Sequence, residues 1–285
     1  MLPTYIIIGA MKCGTTSLHR YLSAHPQIST SRKKELDFFK TEKDFAKGVQ
    51  WYASQFDATY SVRGEGSPNY AKCHLFPSVP QRMYSVVPDC KLIYIVRNPI
   101  ERAISHYLHN WLAGVESRPI SEAFQRFENN NYILTGNYLF QLEKFLEYYP
   151  QDRVLVLLSE ELRNERQATL SRVFRFLGVD DAFVCQNFDQ VYHRTSAMRR
   201  EISLVRLIRR RFPVLLTLAR KSLPSSALGK LSKIAHTPVP PVIIGQELHD
   251  RLVEHYELDI QGLSRFLDGK TPNWFGKSLT SSVIN

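Results

Sequence analysis

The sequence has no stretch approaching the ~20 apolar residues that a membrane-spanning helix needs. Its 44% of hydrophobic residues is therefore read as core. The start, Met1-Leu-Pro-Thr-Tyr-Ile-Ile-Ile-Gly9, lacks the basic opening and long apolar run of a signal peptide and reads as a strand entering a loop. Cysteine is scarce. Cys13, Cys73, Cys90 and Cys185 are scattered, with no CxxC and no Cys/His spacing of a metal site, which argues against a disulfide frame or a zinc centre. The expectation is a cytoplasmic protein with reduced thiols and no metal. Internal repeats and low-complexity tracts are absent as well, and 285 residues suit one α/β domain with insertions.

Acidic residues are in deficit, leaving a net charge of +10, which suits an anionic ligand. The excess is local. Between Arg199 and Ala235 ten lysines and arginines stand against Glu201 alone, so the rest of the chain is almost neutral and general nucleic-acid binding is not expected. Within that segment clusters of Leu, Val and Ile alternate with arginines. The pattern suits a basic helical insert at about 199–240 that touches a membrane surface or a polyanion, or equally a surface helix with one buried face.

Three short apolar runs read as buried parallel strands: Tyr5–Ile8, Leu92–Val96 and Val154–Leu158. Each is followed by a helical pattern. Asn98 and Pro99 make an N-cap and a first helical position, and Ile100, Ala103, Ile104, Tyr107, Leu108, Trp111 and Leu112 form one apolar stripe. Leu170, Val173, Phe174 and Leu177 form another, ending at Gly178. Further helices are expected near Ser121–Asn129, over Asn137–Tyr149, and at the carboxyl end through Leu248, Leu252, Tyr256, Ile260, Leu263 and Leu267. Such alternation predicts a three-layer α/β fold, a parallel sheet with helices on both faces.

Gly9-Ala-Met-Lys12-Cys13-Gly14-Thr15-Thr16-Ser17 follows the first strand and opens a helix. Its glycines have the G-x-x-x-x-G spacing that lets backbone N–H groups curl around a phosphate at a helix N-terminus. A nucleoside triphosphatase would place lysine directly after the second glycine. Here Thr15 stands there and the lysine lies inside the loop as Lys12. Arg97, not an acidic Mg²⁺ partner, follows the strand Leu92–Val96. The loop is thus suited to hold phosphate with backbone, hydroxyls and cations. Arg97 and Ser105, at the carboxyl end of the second strand and on the helix after it, form a candidate second anion site, although each also suits a purely local role.

Taken together these motifs resemble the sulfotransferases that use 3′-phosphoadenylyl sulfate (PAPS), especially the carbohydrate branch that includes the heparan sulfate enzymes. Lys12-x-Gly14-Thr15-Thr16 matches the family's 5′-phosphosulfate loop, and Arg97-x7-Ser105 its 3′-phosphate motif. Lys34-Glu35-Leu-Asp37-Phe38-Phe39, Gly64-Glu-Gly-Ser67-Pro68-Asn-Tyr70, Gly136-Asn-Tyr138-Leu-Phe-Gln141 and Phe176-Leu-Gly178 resemble later landmarks. The resemblance implies a single domain with a P-loop-like sheet and in-line sulfuryl transfer to a hydroxyl or amine of a carbohydrate, lipid or small molecule. Adenosine 3′,5′-bisphosphate (PAP) would be the product.

It also implies Lys12 as the residue stabilising the leaving phosphate and Glu35 as the base. Cys13 to Ser17, Arg97, Ser105 and, in a late loop, Arg199 and Arg200 would hold the nucleotide, and Lys34, Asp37, Ser67, Tyr70 and Gln141 would hold the acceptor. The residues leave Asp37, His74, His106 and His109 open as rival bases, and Glu35 open to simple pairing with Lys33 or Lys34. A P-loop kinase and a non-catalytic nucleotide-binding protein are the other classes considered. One departure stands out: heparan sulfate enzymes carry a lysine after the glutamate of the fourth segment, where this chain has Gly66.

Overall fold

The structure is a computed structural model and describes residues 1–185, 200–201, 236–237, 242–267, 269 and 272–275. In chain order the first elements are β1 (Tyr5–Gly9), α1 (Thr15–Ser23), β2 (Ile28–Thr30), α2 (Glu42–Phe45), α3 (Val49–Ala53), β3 (Val62–Gly66), α4 (Val79–Val86) and β4 (Lys91–Val96). Next come α5 (Pro99–Leu112), α6 (Ile120–Ala123), α7 (Asn131–Leu134), α8 (Tyr138–Leu146), β5 (Val154–Leu158), α9 (Ser159–Asn164) and α10 (Arg166–Leu177). The two-residue strands β6 (Arg200–Glu201) and β7 (His236–Thr237) precede the long helix α11 (Gln246–Leu263).

β1 to β5 form one sheet in the order β2-β3-β1-β4-β5, with every pairing parallel. All of β1 is buried, and β4 is buried after Lys91, as a sheet covered on both faces requires. The three apolar runs read from the sequence lie within β1, β4 and β5. β2 and β3 were not anticipated. β2 has only three residues, and β3 reads Val-Arg-Gly-Glu-Gly, with no apolar run. Its pairing with β1 makes β3 a strand. Gly64 lies opposite Tyr5 so closely that a Cβ there would stand 2.3 Å from the Tyr5 carbonyl oxygen. The chain goes from β1 to one side for β2 and β3 and to the other for β4 and β5. The crevice at the carboxyl ends of β1 and β4 is therefore the switch point where open α/β sheets bind ligands.

α5 starts as its sequence predicts. The Asn98 side-chain oxygen accepts from the Ile100 and Glu101 amides at 3.0 and 3.2 Å, and the stripe from Ile100 to Leu108 is buried. α10 ends at Gly178, with φ +81°. The helix expected near Ser121–Asn129 is shorter. α6 stops at Ala123, and α7 begins only at Asn131. Asn129 has φ +57°, and the Asn130 amide donates to the Ala123 and Arg126 carbonyls at 2.7 and 2.8 Å, so side-chain bonds to backbone replace the helical ladder. The aromatic stretch after Asp37 folds into a cluster in which Phe38 stacks on Tyr52 with centroids 4.4 Å apart.

The basic insert lies outside the described residues except for β6 and β7, which pair antiparallel, with β6 against α5. Among the described residues no helix is long and apolar enough to cross a membrane.

Candidate active site

The loop after β1 is tied to β4 at its start, where the Ala10 N–H donates to the Ile95 carbonyl at 2.7 Å. Positive φ at Lys12 (+71°) and Gly14 (+99°) curls the backbone between them. α1 then begins with no side-chain cap and no acidic residue in its first turn. The leading amides of Thr15, Thr16 and Ser17 have no acceptor within the helix, so they and the helix dipole present positive charge at the crevice. Cys13 takes the other side of the loop. It is fully buried, with Sγ 3.6 Å from the Tyr138 hydroxyl, and burial pushes its thiol up to about 11. It anchors the loop to the core.

Arg97 leaves the end of β4 and comes within 3.5 Å of the Lys12 carbonyl through Nη1, while its other Nη pairs with Glu101. Among the described residues its Nε is buried without a partner. The Tyr138 hydroxyl donates to the Arg97 carbonyl at 2.8 Å and so joins α8 to both phosphate motifs. Ser105 lies two turns along α5 from Asn98 and is 7% exposed. Arg199 falls outside the described residues, and for Arg200 only the backbone of β6 is described.

Facing the loop is the segment from Lys34 to Asp37. Glu35 and Asp37 have φ of +60° and +53°, and with Lys12 they make three of the four non-glycine residues with positive φ among the described residues. Backbone held in that region costs on the order of 1–3 kcal/mol per residue and persists only where its surroundings enforce it. The enforcing group is Glu65 on β3, fully buried. It accepts from Tyr52 at 2.7 Å, Tyr70 at 2.9 Å, Ser67 at 2.6 Å and the Leu36 amide. The Ser67 oxygen in turn accepts from the Asp37 N–H at 3.1 Å. Burial raises the carboxyl pKa of Glu65, and these hydrogen bonds oppose the shift.

Ser67 and Tyr70 therefore sit beneath the Glu35 segment, bonded to Glu65, and do not line an open cleft. Gln141 is likewise fully buried: its Oε1 accepts from the Cys73 N–H at 2.7 Å, and its amide nitrogen donates to His74 and to the Leu134 carbonyl.

Asp37, His74 and His106 are more committed than Glu35, whereas His109 is exposed, feels the charges of Lys12 and Glu35, and stays open as a rival. Asp37 is held by Lys40 and by the Asn69 amide at 3.0 Å. Both ring nitrogens of His74 are engaged, by Asn131 and Gln141. Burial, then Arg102, keeps His106 neutral on the buried face of α5. Glu35 is exposed and, among the described residues, pairs with its neighbour Lys34 alone. The charges of Lys34 and Glu35 both act on His19, whose pKa falls to about 4, mainly from burial.

Two more cations close the group. Arg102 is fully buried, donating to the Tyr132 carbonyl and lying 3.5 Å from His106 Nδ1, with its Nε unpartnered. Lys72, 5% exposed, follows β3. Lys12 is held below the usual lysine range first by burial and then by Arg97. Crowded cations with unspent donors at a phosphate-type loop are the arrangement a polyanionic nucleotide would relieve.

A family model described as "Sulfotransferase domain" matches residues 2–200. The chain belongs to the sulfotransferase domain family. Human bifunctional heparan sulfate N-deacetylase/N-sulfotransferase 2 is 31% identical over 199 residues, covering 62% of this chain and 22% of that protein. Mouse heparan sulfate glucosamine 3-O-sulfotransferase 5 is 32% identical over 193 residues, covering 62% of this chain and 54% of that protein. The chain thus spans about a fifth to a half of these relatives' lengths. A crystal structure of a sulfotransferase from Alicyclobacillus acidocaldarius aligns with a TM-score of 0.67 at 24% identity, covering 96% of this chain and 99% of that one, and shows the same fold.

In this member of the sulfotransferase domain family the structure adds three groups that the motifs do not mark. Arg102 was legible as part of a polar row with His106 and His109, spaced i, i+4 and i+7 along the edge of the α5 stripe. Glu65 and Lys72 had no such periodicity to mark them, because both lie in the short irregular run around β3.

Proposed function

We propose that this chain is a PAPS-dependent sulfotransferase that acts on a hydroxyl or amine. The observation that supports it is the meeting of the uncapped loop at Lys12–Ser17 with Arg97 on one side and the strained Glu35 segment on the other. In the reaction, an acceptor oxygen or nitrogen bonds to sulfur as the bond from sulfur to the 5′-phosphate oxygen breaks, releasing adenosine 3′,5′-bisphosphate. Lys12 and the amides of Gly14 to Thr16 stabilise the charge that grows on that phosphate. Glu35 takes the proton the acceptor loses. Arg97, by fork geometry, and Ser105 take the 3′-phosphate.

The relatives named for heparan sulfate make carbohydrate the first acceptor class to examine, followed by lipids, phenols and small alcohols. Calorimetry with adenosine 3′,5′-bisphosphate and with ATP–Mg²⁺, followed by an acceptor screen with ³⁵S-labelled PAPS, tests this reading. Binding of the bisphosphate with label transfer supports it. Binding of ATP–Mg²⁺ in preference to the bisphosphate refutes it.

A further inference from the structure

We propose that Lys72 binds the sulfuryl group in transit, its ammonium receiving sulfuryl oxygens between the loop that holds the 5′-phosphate and the segment that carries Glu35. This inference rests on the sulfotransferase reading above and assigns a further residue to that site.

The placement of Lys72 is rigid. Its N–H donates to the Asn69 carbonyl at 3.2 Å, and its own carbonyl accepts from Leu75 and Phe76, each at 2.9 Å. The next residue, Cys73, is pinned by Gln141. From this turn the side chain runs to Met11, where Nζ lies 3.1 Å from the thioether sulfur. Met11 precedes Lys12 in the phosphate loop, so the ammonium sits against that loop.

A thioether is a weak acceptor and carries no charge. Among the described residues no carboxylate pairs with Lys72. The charged groups acting on it are Arg102 from α5, Asp37, Lys40 and Glu35 from the facing segment, and it acts in turn on His74, His106 and His109. Asp37 is engaged by Lys40 and Asn69, and Glu35 by Lys34. A 5%-exposed lysine among other cations, with no counter-charge of its own, is unfavourable for folding, and an apolar side chain would fill the same space at less cost. An arriving anion supplies the missing partner. The carboxylates whose charge acts on the ammonium are those of the proposed base segment, so Lys72 neighbours both that segment and the phosphate loop. Lys72 also comes from the same stretch in which Gly66 leaves the family resemblance without its lysine.

Burial, then Arg102, draws the Lys72 pKa down to about 8. An anion beside it raises that value, so binding at pH 8.5 takes up protons.

The test needs no acceptor. Dissociation constants for PAPS and for adenosine 3′,5′-bisphosphate, which lacks the sulfuryl group, are measured by calorimetry for the wild type, Lys72→Met and Lys72→Arg. Proton uptake is read at pH 8.5 in two buffers of different ionisation enthalpy. We expect Lys72→Met to weaken PAPS by about 10–100-fold, the value of a charge-assisted hydrogen bond, while the bisphosphate changes by less than about 3-fold. Its PAPS-linked proton uptake should fall, and Lys72→Arg should restore PAPS affinity without that uptake. Lys72→Met should melt at or above the wild-type temperature, which excludes unfolding as the cause. Equal weakening of both ligands, or no change in either, overturns the assignment while leaving the sulfotransferase reading intact. If the wild type binds neither nucleotide, both fall.

Discussion

Nη1 of Arg97 lies 3.5 Å from the carbonyl oxygen of Lys12, so the arginine that ends β4 is a direct neighbour of the loop that ends β1. The adjacency follows from the parallel register of the two strands, in which Gly9 lies beside Tyr94. It brings two motifs separated by more than eighty residues side by side. Arg97→Ala should weaken adenosine 3′,5′-bisphosphate by about 10–100-fold in calorimetry, and Arg97→Lys should recover only part of that because the planar fork is lost. An affinity unchanged in Arg97→Ala would place the 3′-phosphate elsewhere.

Lys12 and Glu35 should separate binding from turnover. Lys12→Ala should reduce kcat by about 10²–10³-fold, more than it weakens the bisphosphate, because its charge matters most as the leaving phosphate forms. Glu35→Gln should reduce kcat by about 10²–10⁴-fold with bisphosphate affinity preserved. Full activity in Glu35→Gln, with a large loss in Asp37→Asn, would transfer the role of base to Asp37.

Glu65 holds the Glu35 segment without facing the cleft. Glu65→Gln leaves one acceptor where Tyr52, Tyr70, Ser67 and the Leu36 amide all donate. Each donor left unsatisfied costs about 1–3 kcal/mol, so the variant should melt at a lower temperature and lose turnover together. A variant of wild-type stability and activity would show that the left-handed backbone at Glu35 and Asp37 does not depend on this carboxylate.

Asp259 on α11 provides a pH test away from the site. Its carboxylate accepts from the Leu139 and Phe140 amides at 3.0 and 3.1 Å and caps α8, yet burial raises its pKa to about 6. The folded state then binds more protons than the unfolded chain between the ordinary aspartate value, about 4, and about 6. This group's contribution to stability should therefore be greatest below that window and fall as pH rises through it. The thermal midpoint of the wild type, taken relative to that of Asp259→Asn, should fall as the pH rises from 4 to 7. A difference independent of pH would contradict the shift.

Much of the sheet was legible because its central strands are apolar runs and its helices carry apolar stripes with ordinary start and stop residues, as at Asn98-Pro99 and Gly178. β2 and β3 were not, because Val-Arg-Gly-Glu-Gly becomes a strand only against the backbone of Tyr5, where glycine is needed for the close approach. The site divides in the same way. The loop and Arg97 are contiguous motifs that sit where strands end. Ser67, Tyr70 and Gln141 looked like pocket residues in a linear motif, but they lie one layer deeper, holding Glu65 and the turn at Lys72.

The order of residues by itself determined the alternation of strand and helix, the phosphate loop and the place of Arg97 after a strand, since each depends on neighbours within a few positions. Only the tertiary structure decided which carboxylate stays exposed, which cations crowd one crevice and which polar side chains are buried as supports. Those outcomes depend on burial and on charges brought together from β1, β3, α5 and the Lys34–Asp37 segment, and no local pattern encodes the distances among them.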